Sequence, residues 1–258
     1  MSLWGSVLRP WIKPLVYRLR SATVYRAAAF YVNAVDNDND GNFETNGEAA
    51  FARAHLRGAK IAIDAGAAKG HWTALALAAD PHVQVHCFEP TARRFQLLVD
   101  SKFGARAVLN RVGLGAKRET MQIHIEVPGG SNSAFAQEYA GEHRPVETVP
   151  VTTIDEYCAE HGIAHVDFVK LDIEGYEVAA LHGAERMLRA GQIDVVQFEY
   201  GFMYVEARTS LLDLMQYIRG VNPRYVFHKL YPDGARPVTT YSHELDNFKT
   251  QNWALIKS

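Results

Sequence analysis

Cysteine is almost absent from this 258-residue chain, which has only Cys87 and Cys158. Two cysteines cannot staple a small secreted scaffold, and they suit a reducing compartment, so a cytoplasmic protein is expected. Long apolar runs are missing too. None approaches the roughly 18 residues that a membrane span needs. The apolar run at 27–32 is shorter than the core of a secretory signal and has the wrong flanks. Net charge is nearly absent, at −2, whereas a general nucleic-acid binder would be more basic; no nucleic-acid partner is expected. Internal repeats and low-complexity tracts are lacking. What is present is the composition of a folded protein, 48% hydrophobic and 22% charged, which argues against disorder. The length suits one large domain, or one domain with a small extension. These totals leave an enzyme or a small-ligand binder.

The near-zero net charge conceals a local imbalance. Arg9, Lys13, Arg18, Arg20 and Arg26 fall in the first thirty residues with no acid among them, and Trp4, Val7, Leu8, Trp11 and Leu15 lie near helical spacing. One reading is a basic amphipathic segment making peripheral contact with a membrane. The favoured reading is a helical layer packed on the domain or on a second subunit, so a homo-oligomer is left open. Pro10 and Pro14 would interrupt a continuous helix. The acidic stretch 36–44 resembles the start of a calcium loop, but the twelfth position is Gly47 rather than a bidentate Glu. A solvated linker of turn formers is expected there.

From Lys60 onward strands and helices alternate. Apolar runs at 61–64, 83–88, 107–112, 166–171 and 193–198 read as buried strands. Helices are expected at 49–56, 71–79, 92–103, 174–190 and 210–219. In the second of these Trp72, Leu75, Ala76 and Ala79 share a face, and in the third Phe95, Leu98 and Val99 point inward. Val178, Leu181, Ala184 and Leu188 are the inward positions of 174–190, which Gly191 should stop. Thr153 with Glu156 forms a capping-box pattern. Stretches 121–127 and 146–151 look like an added hairpin or flap. Strands 225–228 and 253–256 lack a crossover helix and should pair antiparallel. The pattern predicts an α/β, Rossmann-like seven-stranded sheet: mostly parallel, with a C-terminal antiparallel hairpin, helices on both faces and an N-terminal helical extension. The expected division is an extension over 1–56 and a ligand-binding domain over 57–258.

Chemistry concentrates at the strand ends, where open α/β sheets bind ligands. Asp64-Ala-Gly66-Ala67-Ala-Lys-Gly70 joins the first strand to its helix. Gly66 and Gly70 permit a tight turn and close ligand approach, and the helix offers free N–H groups. The D-x-G-x-x-x-G spacing is not the dinucleotide G-x-G-x-x-G. Asp64 suits a ligand ammonium, or a structural role closing the loop. Glu89 ends the second strand, placed to accept hydrogen bonds from a ribose diol, and 110–113 could flank an adenine. Val169-Lys-Leu-Asp172-Ile-Glu174-Gly-Tyr-Glu177 delivers further carboxylates. Asp172 could orient a cofactor's reacting end or act as general base. Glu174 and Glu177 cap a helix or act directly. Asp172 and Glu199 could share Mg2+, though nothing demands a metal. His71, His124, His143 and Tyr200 are candidate partners.

Together, 63–70, Phe88-Glu-Pro90, 149–155 and 169–177 resemble the FkbM family of class I S-adenosylmethionine-dependent methyltransferases. Asn46-Gly47-Glu48 looks like a further family feature. The resemblance implies S-adenosylmethionine as cofactor, held by Asp64, Gly66, Ala67, Gly70, Glu89 and Asp172, with Asp172 as the catalytic residue. It implies methyl transfer to a hydroxyl of a small-molecule acceptor: a sugar, polyketide or related secondary metabolite. Family members often carry Asn where this chain has Ala68, which leaves Lys69 or His71 to compensate in the cofactor loop. The competing readings are a NAD-dependent oxidoreductase and a non-catalytic methyltransferase-like interaction module. Acceptor contacts are expected from the N-terminal segment, 128–144 and 231–247.

Overall fold

The computed structural model describes residues 9–18, 21–125 and 145–258. Its main sheet has eight strands. Five run parallel: β1 (Ile61–Ala65), β2 (Gln84–Phe88), β3 (Ala107–Asn110), β7 (Val166–Leu171) and β8 (Ile193–Tyr200). β11 (Gln251–Lys257) is inserted antiparallel between β8 and β9 (Tyr225–Tyr231). The antiparallel C-terminal pair is therefore as expected. The chain between its strands adds an eighth strand at the edge, β10 (Gly234–Val238), which pairs with β9. The flap is a separate three-stranded sheet of β4 (Gly113–Leu114), β5 (Glu119–His124) and β6 (Val146–Thr152). Residues 126–144 between its last two strands, which include most of the expected flap strand's end and His143, lie outside the described residues.

Two apolar layers sandwich the main sheet. On one face Ile63, Val169, Leu171, Val196 and Phe198 meet α6 (Ile154–Glu160), α7 (Glu177–His182), α8 (Glu185–Ala190) and α10 (Leu211–Val221). On the other, Ala62, Phe168, Val195 and Ala254 meet α3 (Glu48–His55), α4 (His71–Ala79) and α5 (Ala92–Asp100). Burying each large side chain contributes about 1.5–3 kcal/mol, and Leu98, Phe168, Leu181 and Trp253 are almost wholly buried. Val99 departs from expectation: it is 40% exposed, because the inward arc of α5 is narrow and Leu98 occupies its centre.

The expected continuous helix at 174–190 is two short helices. It starts late because Glu174 (φ 56°) and Gly175 (φ 96°) take left-handed conformations that cannot continue an α-helix. It breaks at Gly183, where an added Cβ would stand 2.0 Å from the Gly115 carbonyl oxygen. Asp155 restarts it: its carboxylate accepts from the Arg186 and Met187 N–H groups at 2.8 and 3.0 Å, satisfying donors that a helix start leaves open. The predicted cap at Thr153 accepts from the Glu156 N–H at 3.0 Å, Ser210 caps α10 in the same way by accepting from the Asp213 N–H at 3.1 Å, and Gly191 closes α8 with φ 67°.

The acidic stretch is not a solvated linker, nor a calcium loop. Asn37, Asp38 and Asn46 are buried. Asp38 Oδ1 accepts from Lys229 Nζ (2.8 Å) and Gln251 Nε2 (2.9 Å). Its Oδ2 accepts from Asn247 Nδ2 (3.1 Å) and Lys249 Nζ (3.2 Å). One carboxylate thus ties this stretch to β9 and β11. α3, which follows it, buries Ala49, Ala52 and Leu56 completely. Before it stand α1 (Arg9–Arg18) and α2 (Ala22–Asp36). Contrary to expectation, α1 continues through Pro14, and α2 does not pack as a layer, since none of its residues is buried.

Removing Asp38 would leave the Lys229 ammonium buried without its ion partner. Asp38→Ala should therefore destabilise the fold by about 3–5 kcal/mol, read as a drop in urea midpoint with unchanged m. A change under about 1 kcal/mol would show that the pair does not hold this segment down.

Candidate active site

The register of the central strands builds the site. Asp64 pairs with Lys170, and Lys170 with Gln197. These three side chains therefore stand in a row on one face of the sheet, among otherwise apolar neighbours. Lys170 Nζ donates to Asp172 Oδ2 at 2.9 Å and lies 3.9 Å from Asp64 Oδ1. Burial alone would pull its ammonium down in pKa; Asp172, Asp64 and Glu48 together outweigh that and hold it above the usual lysine range. Glu48, at the head of α3, closes the row from above. Its Oε2 accepts from Gln197 Nε2 at 2.9 Å and its Oε1 from Asn46 Nδ2 at 2.8 Å.

Asp64 is fully buried beneath the glycine loop. Thr73 donates its hydroxyl to Asp64 Oδ2 at 2.6 Å, and Oδ1 has no hydrogen-bond partner. Burial raises its pKa, against the opposing pull of Lys170 and Thr73. The ammonium that Asp64 faces is thus the chain's own. The loop above it takes left-handed turns at Gly66, Ala68 and Gly70. At Gly66 an added Cβ would meet the Asp172 carbonyl oxygen at 1.9 Å, so the loop lies directly on the end of β7. At Ala68 (φ 46°) the backbone adopts a conformation that Asn tolerates better than Ala.

Two cavities meet at this loop. The larger, about 670 Å³, is lined by Asn46, Glu48, Trp72, Lys170, Asp172 and Glu199 among others, with Gly66, Ala67, Ala68, Lys69 and His71 along one side. The smaller, about 60 Å³, holds Glu89 together with Phe88, Gly113, Ile173 and Tyr176. Gly66, Thr91, Arg94 and Asp172 border both. Glu89 Oε1 accepts from the Thr91 N–H (3.0 Å) and hydroxyl (2.7 Å). Burial raises the Glu89 pKa, with Thr91 opposing. Asp172 keeps 41% of its side-chain surface open. Glu199 is raised well above the ordinary carboxylate range, first by burial and then by Asp172, Glu174, Glu177 and Glu48.

The methyltransferase FkbM domain profile matches residues 64–225, most of the chain and all of this site except the part supplied by 41–48. The chain belongs to the FkbM methyltransferase family. Among solved structures it is similar to the methyltransferase FkbM of Methylobacillus flagellatus KT (20% identity, TM-score 0.50), covering 77% of this chain and 44% of that one. The chain thus spans less than half of that relative's length. Looser likenesses are a putative caffeoyl-CoA O-methyltransferase from Staphylococcus aureus (10% identity, TM-score 0.45, covering 98% and 100%). Another is SMU.1697c, a putative methyltransferase from Streptococcus mutans in complex with SAH (10% identity, TM-score 0.43, covering 82% and 96%). No curated protein matches the chain.

In this FkbM domain the sequence-predicted residues take different stations. Gly66, Ala67, Glu89, Asp172 and Glu199 line the cavities. Asp64 and Gly70 lie behind the loop; a Cβ on Gly70 would strike the Phe103 ring at 2.4 Å. Glu177 caps rather than lines: its Oε1 accepts from the Ile173 N–H at 2.9 Å. Tyr200 is not a site residue, because its buried hydroxyl donates to Asp246 at 3.0 Å and accepts from the Phe248 N–H. His71 lines the larger cavity; His124, at the end of β5, does not, although the next residue, Ile125, does. None of 231–247 lines either cavity; 41–48 does so instead. Residues 128–144 lie outside the described residues. Asp172 and Glu199, the expected metal pair, share the larger cavity. Among the described residues, three such ligand atoms converge within 4.8 Å only at His165, Asp167 and Asp194.

Sequence reasoning gave no role to Lys170, Glu48 or Trp72. Lys170 had a signal: a lone cation in a strand otherwise apolar enough to be buried must find an anion. Glu48 had only its place in the Asn46-Gly47-Glu48 family feature, since it is the fold that brings α3 over β7. Trp72 reads as core by periodicity and is 3% exposed, but its indole N–H has no partner and it borders the larger cavity.

Burial pushes Glu177 up to about 8. Its folded form therefore keeps a proton that the unfolded chain releases near pH 4.5, so its contribution to stability falls as pH rises from about 4.5 to 8. Glu177→Gln retains an acceptor for the Ile173 N–H and removes the titration. The melting temperature of the variant relative to the parent should climb by several degrees between pH 5 and pH 8. A difference independent of pH would refute this assignment.

Proposed function

We propose that this FkbM domain is an S-adenosylmethionine-dependent O-methyltransferase acting on a hydroxyl of a small polyhydroxylated acceptor, such as a sugar, polyketide or related secondary metabolite. The observation that carries the proposal is Asp172, open to solvent in the wall shared by two cavities, one bearing Glu89 and the other Glu48 and Glu199. Bound S-adenosylmethionine would supply an electrophilic methyl group on a sulfonium. The residues fit it: Gly66 and Ala67 bring backbone against the ligand, and Glu89 offers a carboxylate to a ribose diol. A wall of carboxylates favours a cation. The larger cavity is of a size that takes a small organic acceptor.

The chain's own work is alignment and proton removal. Asp172, with Lys170 as its counter-charge, would take up the proton of an acceptor hydroxyl. Glu199, whose neutral form is favoured first by burial and then by the carboxylates around it, would in that form donate a hydrogen bond to an acceptor oxygen. Trp72 offers an unused indole N–H at the same wall. Family membership favours this reading over a NAD-dependent oxidoreductase.

Calorimetry on the full chain should show S-adenosylhomocysteine binding and no NAD binding. Glu89→Ala should weaken that binding by about tenfold to a hundredfold, the worth of one or two charged hydrogen bonds. Asp172→Asn should change binding far less, yet lower methyl transfer from labelled S-adenosylmethionine to a panel of sugars and polyketides by at least about a hundredfold. Binding of NAD alone would overturn the proposal, as would S-adenosylhomocysteine binding with transfer to no member of the panel.

A further inference from the structure

We infer that α2 seats the protein on an anionic lipid surface through a helix face turned away from the domain. The polar residues Arg26, Asn33 and Asp36 of α2 follow one narrow stripe at helical spacing. The domain holds that stripe at Asn33. Lys249 Nζ donates to Asn33 Oδ1 at 2.8 Å. Asn37 closes the helix in the left-handed conformation, and its Nδ2 donates to the Asn46 and Leu230 carbonyls at 2.7 and 3.0 Å. The opposite arc carries Val24, Tyr31 and Val35, with Val32 and Tyr25 at its border, all 46–75% exposed, while the exposed Phe30 lies beside the polar stripe. A surface helix that packs on its own domain shows the reverse, apolar side in and polar side out. α1 adds Leu15, Val16 and Tyr17, each more than half exposed.

Charge selects the occupant. The chain up to Val35 carries Arg9, Lys13, Arg18, Arg20 and Arg26 and no acid, and the rest of the chain has more acids than bases. Pairing this N-terminal segment with that of a second copy would bring two such cationic stretches together, with Asp36 at the end of α2 the one acid in each. Anionic headgroups supply that counter-charge, and the tyrosines suit the boundary between headgroup and hydrocarbon. Among the described residues no helix is long and apolar enough to cross a membrane, so α2 lies on the surface. The loop that follows α2 lines the larger cavity through Gly41, Phe43 and Asn46, so the lipid surface and the cavity are joined by one short anchored segment.

Co-flotation of the full chain with vesicles tests this. The protein should float with mixed phosphatidylcholine–phosphatidylglycerol vesicles, remain behind with phosphatidylcholine alone, and be released by high salt. Two double variants separate the contributions, Val24→Gln with Tyr31→Gln for the apolar arc and Lys13→Glu with Arg18→Glu for the charge. Each should reduce flotation by at least about tenfold while leaving the melting temperature and S-adenosylhomocysteine binding unchanged, since all four residues are exposed. Equal flotation with neutral vesicles would overturn the inference. So would failure to float, whether the chain is a monomer in sedimentation or a dimer that the Val24→Gln, Tyr31→Gln variant dissociates; the dimer would place α2 against a second copy.

Discussion

One buried ammonium organises the site. Lys170 stands in the middle of a parallel sheet, where an unpaired charge would not be tolerated, and its three anionic neighbours come from three different places. Asp64 belongs to the adjacent strand, Asp172 to the end of its own strand, and Glu48 to α3. Remove the cation and three carboxylates would be left crowded together with little water, a far worse state than the intact cluster. The cluster therefore fixes the register of β1 against β7, the seat of α3, and the direction of Asp172. Gly66, Ala67 and Asp172, three of the residues proposed to handle the cofactor or acceptor, stand on those supports.

The two loops above the cluster are held as a pair. Gly66 rests on the Asp172 carbonyl so closely that no side chain would fit. On the other side Glu174 and Gly175 turn left-handed before α7 can begin, and Glu177 returns from the first turn of α7 to hold the Ile173 N–H. Left-handed residues at matching points in both loops keep backbone, rather than bulky side chains, against the space between the cavities. Ala68 occupies such a position without the side chain best suited to it, so this part of the loop is held by its surroundings: Thr73 on Asp64 below, and Phe88 accepting the Gly66 and Ala67 N–H groups at its side.

At the other end of the chain, Asp38 does for the N-terminal region what Lys170 does for the site. Four donors from near and beyond β9 converge on its carboxylate, and they anchor a loop that would otherwise be a tether. Because the anchor is rigid, α2 leaves the domain in a set direction, with its apolar arc outward. The acidic stretch is thus neither a spacer nor an ion loop: its acids and amides fasten one end of the chain to the other.

The sequence by itself determined the order of strands and helices, the antiparallel C-terminal pair, the cap at Thr153, the Gly66 loop, and Glu89 and Asp172 at strand ends. Each of these follows from local periodicity, from turn chemistry, or from a fixed position within one βα unit. Tertiary structure alone decided the rest. It put Glu48 over Lys170, turned Asp64 toward the chain's own ammonium, gave the Tyr200 hydroxyl to Asp246, split the helix at Gly183 against Gly115, and buried Asp38 among residues about two hundred positions away. Those outcomes depend on which distant groups satisfy a buried charge or share a tight contact. Such pairing is settled by packing across the sheet, and no local pattern in the chain records it.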